Sequence, residues 1–131
     1  MSADDRFERG LEIFGRVDGK GGRKAVDDLS DLVPEIGRYL VEYPFGDIYS
    51  RPGLDLRTRE LVSVAALTAM GGCDPQLRVH IHAALNLGCE RREVVEAILQ
   101  MSVYAGFPRA INALYTARDV FGRRDAAGRD E

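Results

Sequence analysis

Several large classes of protein are excluded by what this sequence lacks. Residues 1–14 are charged and carry no apolar core of a secretory leader. The longest apolar run, Leu61 to Met70, is interrupted by Ser63 and Thr68 and is too short to cross a bilayer. With 18 Lys and Arg against 21 Asp and Glu there is no basic excess to neutralise phosphates, so nucleic-acid binding is not expected. No stretch alternates convincingly between apolar and polar residues as a half-buried strand does. Only 2 cysteines occur, which in a chain without an export signal points to a reducing, cytoplasmic setting.

What is present is helical periodicity along most of the chain. At 131 residues, 45% hydrophobic and 30% charged, the chain has the make-up of a single globular domain that needs no disulfide or metal to fold. That domain is expected over residues 1–122, with 123–131 a frayed tail that lacks apolar periodicity. Phe7, Leu11 and Phe14 fall on one face of a first helix. Asp18 to Arg23, with Gly19, Gly21 and Gly22, reads as a flexible loop. It is no phosphate loop, because no Lys-Ser/Thr pair follows and no apolar strand precedes it.

Val26, Leu29 and Val33 mark a second helix that Pro34 ends or restarts. Ile36, Leu40 and Tyr43 mark a third, and 44–52 reads as irregular and aromatic. Asp55 is placed to cap a helix that reaches Met70 and stops at Gly71-Gly72. This helix is apolar nearly all round after Glu60 and is expected to be central and buried. Asp74-Pro75 opens the next helix, which ends at Gly88. Another spans about Arg91 to Ala105, with Val94, Ile98 and Met101 on one face. The last starts at Pro108 and carries Ile111, Leu114, Ala117 and Phe121. The expected fold is therefore all-α, with six or seven helices. So apolar a set of central helices in so small a chain hints that some faces are buried between subunits.

The 2 histidines lie in one helix as His80-Ile81-His82. Residues two apart on a helix point roughly 200° from each other, so the pair cannot chelate one metal, and no metal site is expected. His80 shares a face with Leu77, Ala84 and Leu87 and should point inward, whereas His82 lies nearer Arg78 and Asn86 on a face that can be wet. His80 reads either as a hydrogen-bonded core histidine or as an acid/base group. Glu60, heading an apolar helix, reads either as an exposed first-turn carboxylate favoured by the helix dipole or as an inward group needing a partner. His80 or Arg78 could supply that partner, and a Glu-His pair at an apolar site suits proton transfer near neutral pH.

Cys73 stands before a helix N-terminus, where a thiol can become reactive or serve as a small capping residue; the capping role is the better fit. Cys89 follows the far end of the same helix, some ~20 Å away, beyond disulfide reach. Arg51, Arg57, Arg59 and Arg78 gather in this part of the sequence, and guanidinium groups suit an anionic, carboxylate-bearing ligand. Each can equally be a surface arginine paired with Asp47, Asp55 or Glu60.

Three blocks together resemble the γ-carboxymuconolactone decarboxylase family. The first is Phe45-Gly46-Asp47-Ile48-Tyr49-Ser50-Arg51-Pro52-Gly53-Leu54 with Arg57-Thr58-Arg59-Glu60-Leu61. The second is Gln76-Leu77-Arg78-Val79-His80-Ile81-His82-Ala83-Ala84-Leu85-Asn86-Leu87-Gly88. The third comprises Glu93-Val94-Val95-Glu96, Val103-Tyr104-Ala105-Gly106-Phe107-Pro108 and Asn112-Ala113. The likeness covers nearly the whole chain apart from 19–33 and the tail.

The resemblance implies an alkyl hydroperoxidase D-like all-α fold, assembled as a homo-oligomer (trimer or hexamer). It implies a cofactor-independent decarboxylase acting on 4-carboxymuconolactone or a similar carboxylated lactone in aromatic-compound degradation. On this basis Glu60 and His80 are the candidate catalytic residues, and Arg51, Arg57, Arg78, Phe45 and Tyr104 the candidate substrate contacts. The related peroxidases use a Cys-x-x-Cys ahead of the histidine. Here Cys73 is followed by Gln76, so the resolving thiol is missing. A Cys73-dependent hydroperoxide reductase is the alternative, as is a relative acting on another ring system in secondary metabolism. The sequence also departs from the family pattern at His82, where arginine is usual, and at Glu90, where threonine or serine is.

Overall fold

The computed structural model describes residues 3–17 and 21–130. Among the described residues the structure is all-α, with seven α-helices and one π-helical segment. The chain divides into two compact units, residues 1–56 and 57–131.

In the first unit, α1 (Ala3–Val17) and α2 (Gly21–Leu29) are followed by α3 (Ile36–Val41), which runs directly into a π-helical segment, Glu42–Tyr49. Three expectations change here. Residues 18–20 of the expected glycine loop lie outside the described residues, while Gly21 and Gly22 already belong to α2. That helix stops at Leu29 rather than Val33. Pro34 disfavours helical geometry in the residue before it, and the Val33 N–H turns back to the Leu29 carbonyl at 2.9 Å. The stretch from Pro44 to Tyr49, expected to be irregular, is wound as a π-helix. Pro44 has no N–H to donate, and its ring would clash with the Leu40 carbonyl in an α-turn; a wider turn moves that carbonyl away from the ring.

Two glycines let α1 lie close to this segment. A Cβ on Gly10 would sit 2.3 Å from the Val41 carbonyl oxygen, and one on Gly46 would sit 2.5 Å from that of Arg6. The contact is closed by an edge-on Phe14–Phe45 ring pair with centroids 5.1 Å apart. Arg6 also grips both oxygens of Asp47, at 2.9 and 2.6 Å.

The second unit holds α4 (Leu56–Met70, its first residue falling in the first unit), α5 (Asp74–Asn86), α6 (Arg91–Ala105) and α7 (Phe107–Asp130). Gly71 and Gly72 end α4 with φ of 69° and 71°, a region closed to most side chains. The core joins Val64 of α4, Leu77, Ile81 and Ala84 of α5, Val94 and Ile98 of α6, and Ala110, Ala113, Ala117 and Val120 of α7. The face of α7 that meets the core is thus a seam of small residues, which allows close approach. Ile111, expected on that face, is turned outward with Phe107 and Tyr115.

A second correction concerns α4. It is not buried all round: only Glu60, Val64 and Thr68, spaced four apart, are buried, while Val62 is 56% exposed. A third concerns the end of the chain, where α7 continues through Gly122 to Asp130 in place of the expected tail. Long-range polar contacts hold it there. Arg91 pairs with Asp125 at 2.6 Å and lies over the Phe121 ring, and Arg124 reaches Asn86 at 3.1 Å.

Candidate functional site

The buried stripe of α4 begins with a carboxylate. Glu60 is 0% exposed, and its Oε2 lies 2.7 Å from Nδ1 of His80 on α5, whose side chain is 25% exposed. The register that put His80 beside Leu77 and Ala84 turns it inward onto this carboxylate, since both neighbours are core residues. Glu60 Oε1 is buried and has no hydrogen-bond partner among the described residues. Leaving such an atom unsatisfied costs roughly 1–3 kcal/mol, more when the group is charged, so His80 carries the task of compensating Glu60.

The chemistry of the pair follows from this geometry. A carboxylate oxygen only accepts, so the Nδ1–H donates to Oε2, which fixes the tautomer of the neutral ring and leaves Nε2 without a proton. The carboxylate stabilises the imidazolium when Nε2 takes a proton. A ring a quarter exposed can exchange that proton with solvent or a ligand, while its partner stays dry.

The arginines are engaged elsewhere. One terminal nitrogen of Arg57 reaches both carboxylate oxygens of Glu93. Arg78 donates to Asp119 at 3.1 Å, and Asp119 also takes Arg123 at 3.0 Å. As a substrate anchor, Arg57 or Arg78 would first have to release its acidic partner. Arg51 and Phe45 belong to the first unit, where Phe45 sits between Phe14 and Tyr49. Tyr104, near the end of α6, is exposed.

Cys73 precedes α5 but makes no side-chain cap there; its thiol instead donates to the Leu67 carbonyl at 3.3 Å, near the end of α4. The capping role expected for it is thus replaced by one at the neighbouring helix end, because the Gly71-Gly72 turn carries the chain back past those carbonyls. Both cysteines are thiols outside any disulfide among the described residues, Cys89 buried and Cys73 half-buried.

His82 lies on the other face of α5, where Nδ1 is 3.3 Å from Arg124. Burial lowers its pKa below the ordinary histidine value, and the Arg124, Arg123 and Arg78 charges add to this against Asp119. Among the described residues no group of three or more His, Cys, Asp and Glu is arranged to hold a metal ion. A cavity of about 1120 Å³ opens within the first unit, floored by Phe7, Leu11, Phe14 and Val26. Its ionic groups are largely committed, Glu42 receiving both Arg6 and Arg38.

Sequence reasoning passed over Glu93. The signal for it was local, since Glu90 and Glu93 stand three apart at the start of α6. They form a reciprocal capping box in which the Glu90 N–H donates to Glu93 at 2.9 Å. The Glu90 N–H, and then the Arg57 guanidinium, hold the Glu93 carboxyl below the usual carboxylate range.

Comparison with known proteins bears on what this pair is for. The profile of the Carboxymuconolactone decarboxylase family matches residues 34–119. A 4-carboxymuconolactone decarboxylase of Acinetobacter baylyi is 36% identical over 122 residues, covering 92% of this chain and 90% of that protein. An uncharacterised 15.0 kDa protein of Paracoccus denitrificans is 39% identical across 74% of this chain and 73% of its own length. A nitrosuccinic acid decarboxylase of Metarhizium robertsii is 30% identical, with 82% of this chain and 76% of that protein aligned.

Proposed function

The chain belongs to the carboxymuconolactone decarboxylase family, and we propose that it removes CO2 from a carboxylated lactone, using Glu60 and His80 as its proton-transferring pair. The observation that carries this reading is the 2.7 Å contact between a part-exposed imidazole and a fully buried carboxylate. Two of the similar proteins are named as decarboxylases, one of 4-carboxymuconolactone and one of nitrosuccinic acid.

In the proposed reaction the C–C bond to the carboxylate breaks, CO2 leaves, and the electron pair passes into the conjugated carbonyl system of the substrate. The substrate is its own electron sink, so the chemistry requires no cofactor. His80, charged and held by Glu60, delivers a proton from Nε2 to the resulting enolate and is reprotonated from solvent. Orientation of the acid and stabilisation of enolate charge supply the rest of the rate. A place in aromatic-compound degradation, in the cytoplasm, goes with this reading. Among the described residues no helix is long and apolar enough to cross a membrane.

Assembly is part of the proposal. Leu99 and Val103 on α6, with Phe107, Ile111 and Tyr115 on α7, are exposed apolar side chains at helical spacing. Exposed apolar stripes of this kind favour burial against a second copy, in a trimer or hexamer. The activity itself is tested by CO2 release from 4-carboxymuconolactone and, in parallel, from nitrosuccinic acid. Release from the lactone supports the reading, and release from the nitro acid alone moves the substrate to short acyclic acids. No release from either, by folded protein, overturns it. A thiol peroxidase has less in its favour, because Gln76 stands where a resolving cysteine is needed.

A further inference from the structure

We infer that Arg57 is a positioning residue, acting with Glu93 as a clamp that sets Glu60 against His80, and that it does not bind the substrate carboxylate. The inference rests on the acid/base role proposed for the pair. Its starting point is how little holds Glu60 through its own side chain. Among the described residues Oε1 has no hydrogen-bond partner, and Oε2 has His80. The place of the carboxylate is therefore set by the backbone of α4, and Glu60, the fifth residue of that helix, rests directly on its first turn. The first turn of a helix has no intrahelical partners for its N–H groups and frays unless tied down.

Two ties meet at Arg57, one turn before Glu60 on the same face. Its guanidinium reaches both oxygens of Glu93, and its carbonyl oxygen receives the Cys89 thiol at 3.8 Å. Cys89 and Glu93 flank the start of α6, and Glu93 is itself fixed by the Glu90 N–H at 2.9 Å. The anchor is thus rigid at the α6 end. It is joined to α5, which carries His80, through the short turn at Gly88. Holding Arg57 fixes both the rotation and the height of α4, and so the reach of Glu60 to His80. A guanidinium so committed, on a carboxylate held in its ionised form, is a poor candidate for exchange onto a substrate.

The test separates the two roles of Arg57 by kinetics on 4-carboxymuconolactone and by proton NMR. Arg57→Gln and Glu93→Gln are each expected to lower kcat roughly tenfold, because a small misplacement of the pair suffices for that. KM should stay within about twofold, since uniform substrate binding is untouched. The double variant should be no worse than the worse single, as members of one clamp. Arg57→Lys should recover most of the loss. If Arg57→Gln raises KM with kcat unchanged while Glu93→Gln has no effect, Arg57 is a substrate anchor and the clamp is refuted.

The second readout needs no substrate. The His80 Nδ1–H bonded to Glu60 should give a downfield, slowly exchanging resonance, assigned against His82→Gln because the chain has 2 histidines. It should broaden or vanish in both clamp variants. An unchanged resonance in both refutes the clamp whatever the activity. A lost resonance in a protein that never releases CO2 keeps the clamp and refutes the decarboxylase reading instead. Should Arg57→Gln fail to fold, Glu93→Gln, which retains the oxygen that the Glu90 N–H needs, carries both readouts.

Discussion

His80 and Glu60 form a pair with unequal access to water: the imidazole is 25% exposed and the carboxylate, 2.7 Å away, is 0% exposed. A dry carboxylate compensated from one side interacts more strongly with that partner than a hydrated one would. The pair therefore behaves as a unit, and changing one member should alter the other's chemistry more than the fold.

Glu60→Gln tests this. The amide keeps an oxygen for the His80 Nδ1–H but no longer stabilises the imidazolium. Turnover is expected to fall by about 10²- to 10⁴-fold, the range for losing a positioned acid/base partner. Far-UV circular dichroism should match wild type, and Tm should move by no more than a few degrees. A variant with wild-type turnover would remove Glu60 from the mechanism.

The pH dependence of stability should carry a signature from His82. Its folded-state pKa lies below the ordinary value, chiefly through burial and then through Arg124, Arg123 and Arg78, with Asp119 opposing. A depressed histidine binds its proton more readily when unfolded, so it contributes stability above about pH 6.5. That contribution is lost as pH falls from there toward the folded-state value. Protonation also ends the ability of Nδ1 to accept from Arg124. Chemical denaturation at pH 7.5 and 5.5 should show lower stability at the acid pH. The difference should shrink in His82→Gln, and an equal difference in both proteins would contradict this account.

Much of this site was legible in the sequence, and the reasons are particular. Helix ends at Gly71-Gly72 and Asp74-Pro75 have strong local signals, and the helical register alone turned His80 inward. What escaped were features that local pattern does not encode. In the α7 seam, Ala110 and Ala113 were passed over for bulkier Ile111, because a hydrophobic stripe is read by size while close packing selects small residues. The π-helical turn runs through Pro44 and Gly46, which read locally as a break in the helix. The ties on Arg57 and along Gly122–Asp130 join residues more than thirty positions apart.

Assembly through α6 and α7 predicts a contrast between two isoleucines. Ile98 is 0% exposed, so Ile98→Ala should cost about 2–5 kcal/mol in any assembly state. Ile111 is 45% exposed, and Ile111→Glu should leave helicity intact while lowering the mass measured by sedimentation. A wild-type protein that sediments as a monomer would contradict the proposed oligomer.

Cys73→Ser should be nearly silent. The hydroxyl can still donate to the Leu67 carbonyl, which the thiol reaches at 3.3 Å, so both turnover and Tm should stay near wild type. Loss of activity alone, with Tm unchanged, would return Cys73 to the chemistry and favour the thiol mechanism.

The central claim is that His80 delivers the proton in a decarboxylation. It is tested most directly by the rate of CO2 release from 4-carboxymuconolactone by His80→Ala, compared with wild type at matched helicity and assembly. A fall of about 10²-fold or more, as for a lost general acid, is the predicted result. Release at the wild-type rate would contradict the account.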